Sequence, residues 1–496
     1  TIKSGYNLAI HPNLITEATT TFEIINAILP LNQNDFLAKA DKNTNWEEIK
    51  KNLNPEIGEK LLALKIPGVA VAPFNWRFYP AGRLAANILG LVGYQGNILA
   101  GRYGLESYYE DVLRRDQSGL YQNLFVEIFS GLEKTLVKKT GLEGDIITTI
   151  EPTVENFLEK KLFALSEQWQ AAETGGIIIN PKTGELYAMA NLPTFDPNNF
   201  SVVGDIKIFS NPLVENAYEM GSIIKPLTVA AGLDAKVITA TTTYNDAGFI
   251  ELSGRKISNF DKKARGVVNM QEVLNQSLNT GAAFIMSRLG REVFSQYFLN
   301  FGIGEETGID LPNESPGLAK NLKSERDLEH ATASFGQGIA LTPIMTVRAL
   351  SVLANGGFLI TPHIVKKIEY VAGFFKKITN DNSKKVIKKE TSEEITRMLV
   401  AVVDKALLNG QIKQEHFSIA AKTGTAQIAD PAGGGYFEDK FLHSFFGYFP
   451  AYEPKFLVFL YLYKPIGANY ASQTLALPFI DIAKFLLNYY NIPPDR

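Results

Sequence analysis

Eight consecutive apolar residues, Phe456-Leu-Val-Phe-Leu-Tyr-Leu-Tyr463, constrain this chain more than any other stretch. The run is far shorter than the ~20 residues that span a bilayer. It reads as a strand, and its unbroken apolar character predicts burial on both faces. Such a strand needs helices on each side of its sheet. Phe445-Phe-Gly-Tyr-Phe449 predicts its hairpin partner, joined through Pro450-Ala-Tyr-Glu-Pro-Lys455. Thr474 to Tyr490 reads as a final helix able to cover one face. An earlier hairpin is expected from Gly176–Ile179 and Glu185–Ala190, with the turn set by Asn180-Pro-Lys-Thr-Gly184. Strands at both ends of the region with helices between predict an α+β domain closed by its own termini.

The chain has 496 residues, too many for one ordinary core, so two or more domains are expected. The break is placed near residue 150, giving regions 1–150 and 151–496. In the first, Asn32 to Leu64 reads as helical, with Trp46-Glu-Glu-Ile-Lys-Lys-Asn-Leu53 supplying a helix start. Val69–Pro73 reads as a short strand, Leu84 to Gly93 as an apolar helix and Ser107 to Leu113 as another. Glu143 to Ile150 closes the region as a strand. Glu151 to Gln170 is an amphipathic helix whose Pro152 sits where no helical hydrogen bond is lost. No repeat of fixed period is present.

Composition excludes several function classes. The net charge of −3 gives no basis for a nucleic-acid partner. The absence of cysteine rules out disulfides, thiol catalysis and cysteine-ligated metals, and fits an oxidising compartment. The five histidines show no ligand spacing, so neither a metal nor another cofactor is expected. The chain opens on Thr1 with no charged-then-apolar leader. It is expected to be soluble, or to be an ectodomain lacking an N-terminal anchor.

Chemistry concentrates in three short motifs. Ser222-Ile-Ile-Lys225 places a hydroxyl and an amine at i and i+3, on one face of a helix. Pro226 removes the next backbone N–H, which predicts a 3₁₀ first turn with the pair still closer. Ser277-Leu-Asn279 and Lys422-Thr-Gly-Thr425 follow downstream. Each motif alone is a common cap or turn pattern; together they offer a nucleophile, a base and hydrogen-bonding groups, the residue types that acyl transfer needs. Ser222 is the candidate nucleophile. Lys225 is the candidate base, provided burial and a second cation, Lys422, keep it neutral. Ser277 can pass a proton to the leaving group, and Asn279 can bond the substrate amide. Thr423 and Thr425 offer hydroxyls to a terminal carboxylate. Gly424, without a Cβ, would let a substrate strand lie close. The backbone N–H groups of Ser222 and Thr425 are candidates for the oxyanion hole.

The triple is shared by penicillin-binding proteins and class A β-lactamases. The whole chain resembles a class B penicillin-binding protein, a monofunctional D,D-transpeptidase that cross-links peptidoglycan. Arg77-Phe-Tyr-Pro-Ala-Gly82, Leu84-Ala-Ala-Asn87 and Gly101-Arg-Tyr-Gly-Leu-Glu106 are similar to motifs of that family's N-terminal pedestal. Ser4-Gly-Tyr-Asn-Leu-Ala9 is similar to part of its first one. Thr183-Gly184, Phe195-Asp-Pro-Asn198 and Ser334-Phe-Gly-Gln-Gly338 resemble its transpeptidase motifs. Met220 departs from the usual Pro, Asn87 from the common His, and Leu278 is an unusual middle residue.

The resemblance implies a penicillin-binding/β-lactamase-like α+β domain, an antiparallel sheet flanked by helices, behind an elongated α+β pedestal. It implies peptidoglycan stem peptides as substrate, β-lactams as covalent inhibitors, and a membrane glycosyltransferase as partner. It places the protein on the extracytoplasmic face of the membrane, in division or elongation. A β-lactamase or β-lactam sensor, or a non-catalytic scaffold, are the alternatives; no second base for hydrolysis is evident. Ser334 to Gly338 reads either as a glycine turn or as a contact with the site. Lys384, Lys385, Lys388 and Lys389 read as a solvated face, with contact to an anionic wall or lipid as the alternative, and Gly433-Gly-Gly435 as a mobile loop between strands or a border of the cleft.

Overall fold

The computed structural model describes residues 1–95, 98–114, 143–379, 384–430 and 432–496. The chain forms two compact units. The smaller holds Thr1–Gly82, Val92–Arg102 and the described residues of Tyr109–Glu143. The larger holds Arg83–Leu91, Tyr103–Tyr108 and Gly144–Arg496.

In the smaller unit, β1 (Ile2–Ile10) is the middle of a three-stranded antiparallel sheet, between β2 (Glu47–Leu53) and β3 (Val69–Arg77). Helices α1 (Ala18–Asn26), α2 (Gln33–Ala40) and α3 (Pro55–Ala63) pack on it. The side chains of Asn32 and Asn54 cap α2 and α3 by accepting from Asp35 and Ile57. Leu8, Ile10, Phe22, Ile25, Phe36, Leu53 and Leu61 form the core. A hairpin of β4 (Val92–Gln95) and β5 (Ile98–Gly101) completes the labelled elements.

Four expectations for this region change. Trp46–Leu53 is no helix start: Glu47–Leu53 is an edge strand whose charged residues stay outside while Leu53 enters the core. Pairing with β1 overrides a helix-compatible composition. β3 runs on to Arg77, and Pro73 is tolerated because β3 is itself an edge. Leu84–Gly93 keeps one helical turn, Ala86–Leu89, ended by Gly90 at φ +74°, where a Cβ would lie 1.7 Å from the Tyr103 carbonyl. The helix expected over Ser107–Leu113 is split into Gly104–Tyr108 and Glu110–Leu113.

The larger unit begins with β6 (Gly144–Thr148), then α4 (Pro152–Trp169), entered through a Glu151 side chain that accepts from Val154. The hairpin β7 (Glu173–Ile179) and β8 (Leu186–Leu192) follows. A 3₁₀ turn, Gly221–Ile224, runs into α5 (Lys225–Asp234). Strands β9 (Thr243–Asp246), β10 (Phe249–Leu252), β11 (Arg255–Ser258) and β12 (Gly266–Asn269) make two ribbons, β9 with β12 and β10 with β11. Then come α6 (Asn279–Leu289), α7 (Pro343–Ala354), β13 (Val365–Tyr370), β14 (Phe375–Lys377) and α8 (Lys389–Ala401). The chain ends with β15 (Ala420–Ala429), β16 (Tyr436–Phe449), β17 (Phe456–Tyr463) and α9 (Ala471–Tyr489). β6 pairs with β13, so the strand expected to close the N-terminal region belongs to the larger unit.

The main sheet is antiparallel throughout, in the order β15-β16-β17-β7-β8. The C-terminal hairpin thus joins the one that opens the region, as the apolar runs predicted. Alternation along β16 shows both faces covered. Phe445 and Phe449 meet Phe479 of α9, with ring centroids 4.5 and 5.9 Å away. Tyr448 points the other way, its hydroxyl 2.8 Å from Thr396 of α8. Phe456 to Leu462 are all buried. The lysines at 384, 385, 388 and 389 are exposed, as expected of a solvated face.

Candidate active site

Ser222 lies in the 3₁₀ turn, and Lys225 opens α5 with Pro226 in its first turn. The expected geometry is realised: Lys225 Nζ is 2.9 Å from Ser222 Oγ. The same amine lies 2.5 Å from the Ser277 carbonyl and 3.2 Å from Ser277 Oγ. Lys422 Nζ reaches Ser277 Oγ from the other side at 3.0 Å, and donates to the Thr423 carbonyl at 3.0 Å. Ser222, Lys225, Ser277 and Lys422 therefore form one continuous line.

Electrostatics along that line follow from burial. Lys225 is 0% exposed, and desolvation holds its amine well below the ordinary lysine value, with the Lys422 charge a second cause. Burial also brings Lys422 down, to about 7. Desolvation comes first and the second cation second, an ordering the sequence left open.

Each element is braced by groups far away in sequence. Ser277 adopts φ +57°, the left-handed region that a residue with a Cβ rarely occupies. Leu278, the unusual middle residue, is buried and anchors this bend in the core. Asn279 opens α6 and donates to the Ser258 carbonyl at 2.9 Å. Next to it, Thr280 Oγ1 bonds Asp246 at 2.8 Å, while Asn259 donates to both Asp246 oxygens at 3.0 Å. This knot ties the start of α6 to the β9–β12 ribbons. Asp246 and Asn259 stand in no motif, and nothing in the sequence signals them.

β15 is the edge of the main sheet. Lys422, Gly424 and Ala426 turn inward and are buried; Thr423, Thr425 and Gln427 are partly exposed. The reason for Gly424 differs from the expectation. A Cβ there would lie 2.4 Å from Ser444 Oγ and 2.8 Å from the Met220 carbonyl. The glycine makes room for the segment that carries Ser222. Met220 is buried, and its carbonyl accepts from Ser444 Oγ at 2.9 Å.

The open reading of Ser334–Gly338 resolves toward the site. Gly221 donates to the Gly336 carbonyl at 3.1 Å, and Thr228 Oγ1 to that of Ser334 at 2.7 Å. A Cβ on Gly336 would lie 2.2 Å from the Gly221 carbonyl oxygen. Asn87 lies elsewhere in this unit: its amide donates to Ile208 and Ser210, and its oxygen accepts from Thr194.

A cleft opens on both sides of Ser222. One arm, about 260 Å³, is lined by Ser277, Thr423, Thr425, Phe260, Arg265 and Tyr470. The other, about 470 Å³, is lined by Asn279, Lys256, Phe335, Gln337, Gln427 and Phe441. All eight residues expected at the site thus gather within or directly behind one cleft. Among the described residues no cluster of three or more His, Asp or Glu could hold a metal.

A serine hydroxyl flanked by a buried amine, with a second serine and a second lysine at the edge of an antiparallel sheet, has the groups that serine acyl transfer needs. Residues 174–481 match the family model of the penicillin binding protein transpeptidase domain, and residues 3–145 that of the penicillin-binding protein dimerisation domain. The chain belongs to the penicillin-binding protein transpeptidase family. It is 30% identical to stage V sporulation protein D of Bacillus subtilis, over 97% of this chain and 74% of that protein. It is 27% identical to peptidoglycan D,D-transpeptidase FtsI of Buchnera aphidicola subsp. Schizaphis graminum, over 94% of this chain and 79% of that protein. The crystal structure of penicillin binding protein 2X from Streptococcus thermophilus shares the fold, with a TM-score of 0.79 at 20% identity, covering 98% of this chain and 77% of that one.

Proposed function

We propose that this chain is a peptidoglycan D,D-transpeptidase acting through an acyl-enzyme on Ser222. The observation that carries the reading is the hydrogen-bonded line Ser222–Lys225–Ser277–Lys422. Neutral Lys225 takes the Ser222 proton as Oγ attacks the penultimate D-Ala carbonyl of a stem peptide. The backbone N–H groups of Ser222 and Thr425 hold the oxyanion; Gly221 lies against the Thr425 carbonyl, which keeps the two segments adjacent. Ser277 carries the proton from Lys225 to the amine of the departing D-Ala. Lys422, Thr423 and Thr425 bind the terminal carboxylate. Thr425 Oγ1 accepts from Ala471 at 3.1 Å, which leaves its O–H free to donate to that carboxylate. Asn279 orients the substrate amide along the other arm. An amine on a neighbouring stem then resolves the ester by the reverse proton path.

β-Lactams acylate the same hydroxyl because they mimic D-Ala-D-Ala. The matches at 3–145 and 174–481 support a working division into a pedestal, 1–150, and a transpeptidase domain, 151–496. The reading places the protein on the extracytoplasmic face of the membrane, with a glycosyltransferase supplying nascent glycan.

Intact-mass spectrometry after penicillin treatment tests the assignment. Wild type gains the mass of one penicillin, mapped to the peptide containing Ser222, and Ser222→Ala gains none. Labelling of Ser222→Ala at the wild-type rate would falsify the nucleophile.

A further inference from the structure

Just ahead of Ser222, Glu219 carries a carboxylate that no step above uses. Its Oε1 accepts from the backbone N–H of Gly338 at 2.9 Å and from the Tyr436 hydroxyl at 3.1 Å. Its Oε2 is buried with no hydrogen-bond partner among the described residues. Glu219 therefore sits between two structures that matter to the cleft. One is the Ser334–Gly338 turn, which holds Gly221 through Gly336. The other is the start of β16, where Glu438 and Phe441 line the larger arm. The β15–β16 ladder slips register between Gln427 and Ala429, opposite this part of β16. The sheet's own ladder grips weakly there, and the Tyr436–Glu219 bond supplies an anchor outside the hairpin.

We propose that Glu219 is a positioning residue that fixes the Ser222 turn and, through Tyr436, the β16 wall of the larger cleft arm, so that it tunes how tightly the stem peptide is held. The inference rests on the transpeptidase reading. Two donors converge on one oxygen, Oε1, so an amide oxygen can replace the carboxylate oxygen. Burial raises the Glu219 carboxyl above its ordinary value, which agrees with a site built for an acceptor rather than for a charge. On this proposal a small acyl donor reacts at Ser222 without reaching far along the β16 wall, whereas a stem peptide extends along it.

The test uses the full chain with two probes, fluorescent penicillin and a thioester of a stem-peptide analogue. Tyr436→Phe is expected to raise KM for the thioester about 3- to 10-fold, with kcat and penicillin acylation within about 2-fold of wild type. Glu219→Gln is expected to stay near wild type with both probes. Glu219→Ala is expected to slow acylation by both at least ~10-fold, as displacement of a reacting group does. Tyr436→Phe at parity with wild type on the thioester, or slowed equally with both probes, overturns the proposal. So does Glu219→Gln as impaired as Glu219→Ala. Should Glu219→Ala not fold, Tyr436→Phe and Glu219→Gln decide alone. A wild type that takes up no penicillin overturns the transpeptidase reading as well, whereas a reactive wild type with variants at parity overturns this proposal only.

Discussion

Lys225 has no contact with solvent, and its ammonium would need to shed the hydration that keeps a free lysine charged to about pH 10.4. Burial, helped by Lys422, holds the amine well below that value, which suits the base role proposed for it. The sign of the pH dependence follows. As pH falls through the depressed value, Lys225 takes a proton and can no longer accept the one from Ser222. Stopped-flow acylation by penicillin is therefore expected to fall on the acid side. In Lys422→Met the second depressing cause is gone, so Lys225 binds its proton more readily and the acid limb moves to higher pH. An unmoved limb would show that Lys422 does not act on Lys225. These residue types and their order were legible in the sequence, because a hydroxyl needs a nearby base and the i, i+3 spacing provides one. Glu219, Asp246 and Asn259 were not, because their partners Tyr436 and Thr280 meet them only through folding.

At the scale of elements, the sheet and the helices that cover it control stability. Gly447 of β16 lies under Phe479 of α9; a Cβ would stand 2.5 Å from its ring and 2.9 Å from Ala421. Gly447→Ala is expected to destabilise by about 1–3 kcal/mol through overpacking, read as a lowered Tm. Glu155 of α4 works in the opposite sense. It is fully buried, its Oε2 accepts from Met189 at 2.8 Å, and its Oε1 has no partner among the described residues. Burial, with the charge of Glu159 adding to it, pushes its carboxyl well above the usual range. A carboxyl raised on folding stabilises below its unfolded value, and that contribution is lost as pH rises through its folded value. Glu155→Gln keeps the acceptor and removes the titration. Its Tm should gain on wild type progressively as pH rises above the ordinary carboxylate value, and a constant gap would count against this account. The long apolar strand and its hairpin partner were readable because their pattern allows no other burial. The edge strand Glu47–Leu53 was not, since its charged sequence suits a helix until β1 lies beside it.

Across the whole molecule, sequence order and compact unit do not coincide. Arg83–Leu91 and Tyr103–Tyr108 precede the expected break yet belong to the larger unit. Ala86, Leu91 and Tyr103 pack against Phe195 and Phe209, and Glu159 accepts from the Ala85 N–H at 2.9 Å. A chain starting at Gly144 loses these contacts. It is expected to be less stable than the full chain by about 3–5 kcal/mol, the scale of deleting a large buried side chain. Differential scanning calorimetry checks this, and an unchanged Tm for the larger unit would show that the two segments are dispensable to it.

The sequence by itself determined the chemistry on offer: a serine with a lysine one turn away, two more motifs in fixed order, a strand that must be covered on both sides, and a 3₁₀ turn ahead of Pro226. Tertiary structure decided that Ser277 stands between two lysines, that Gly424 serves the serine's own segment, and that Glu219 reaches across to Tyr436. The physical reason is the range of each effect. Periodicity, caps and proline geometry act within a few residues, whereas the burial that lowers the Lys225 amine is imposed by segments far apart in sequence, those of Ser277 and Lys422 among them.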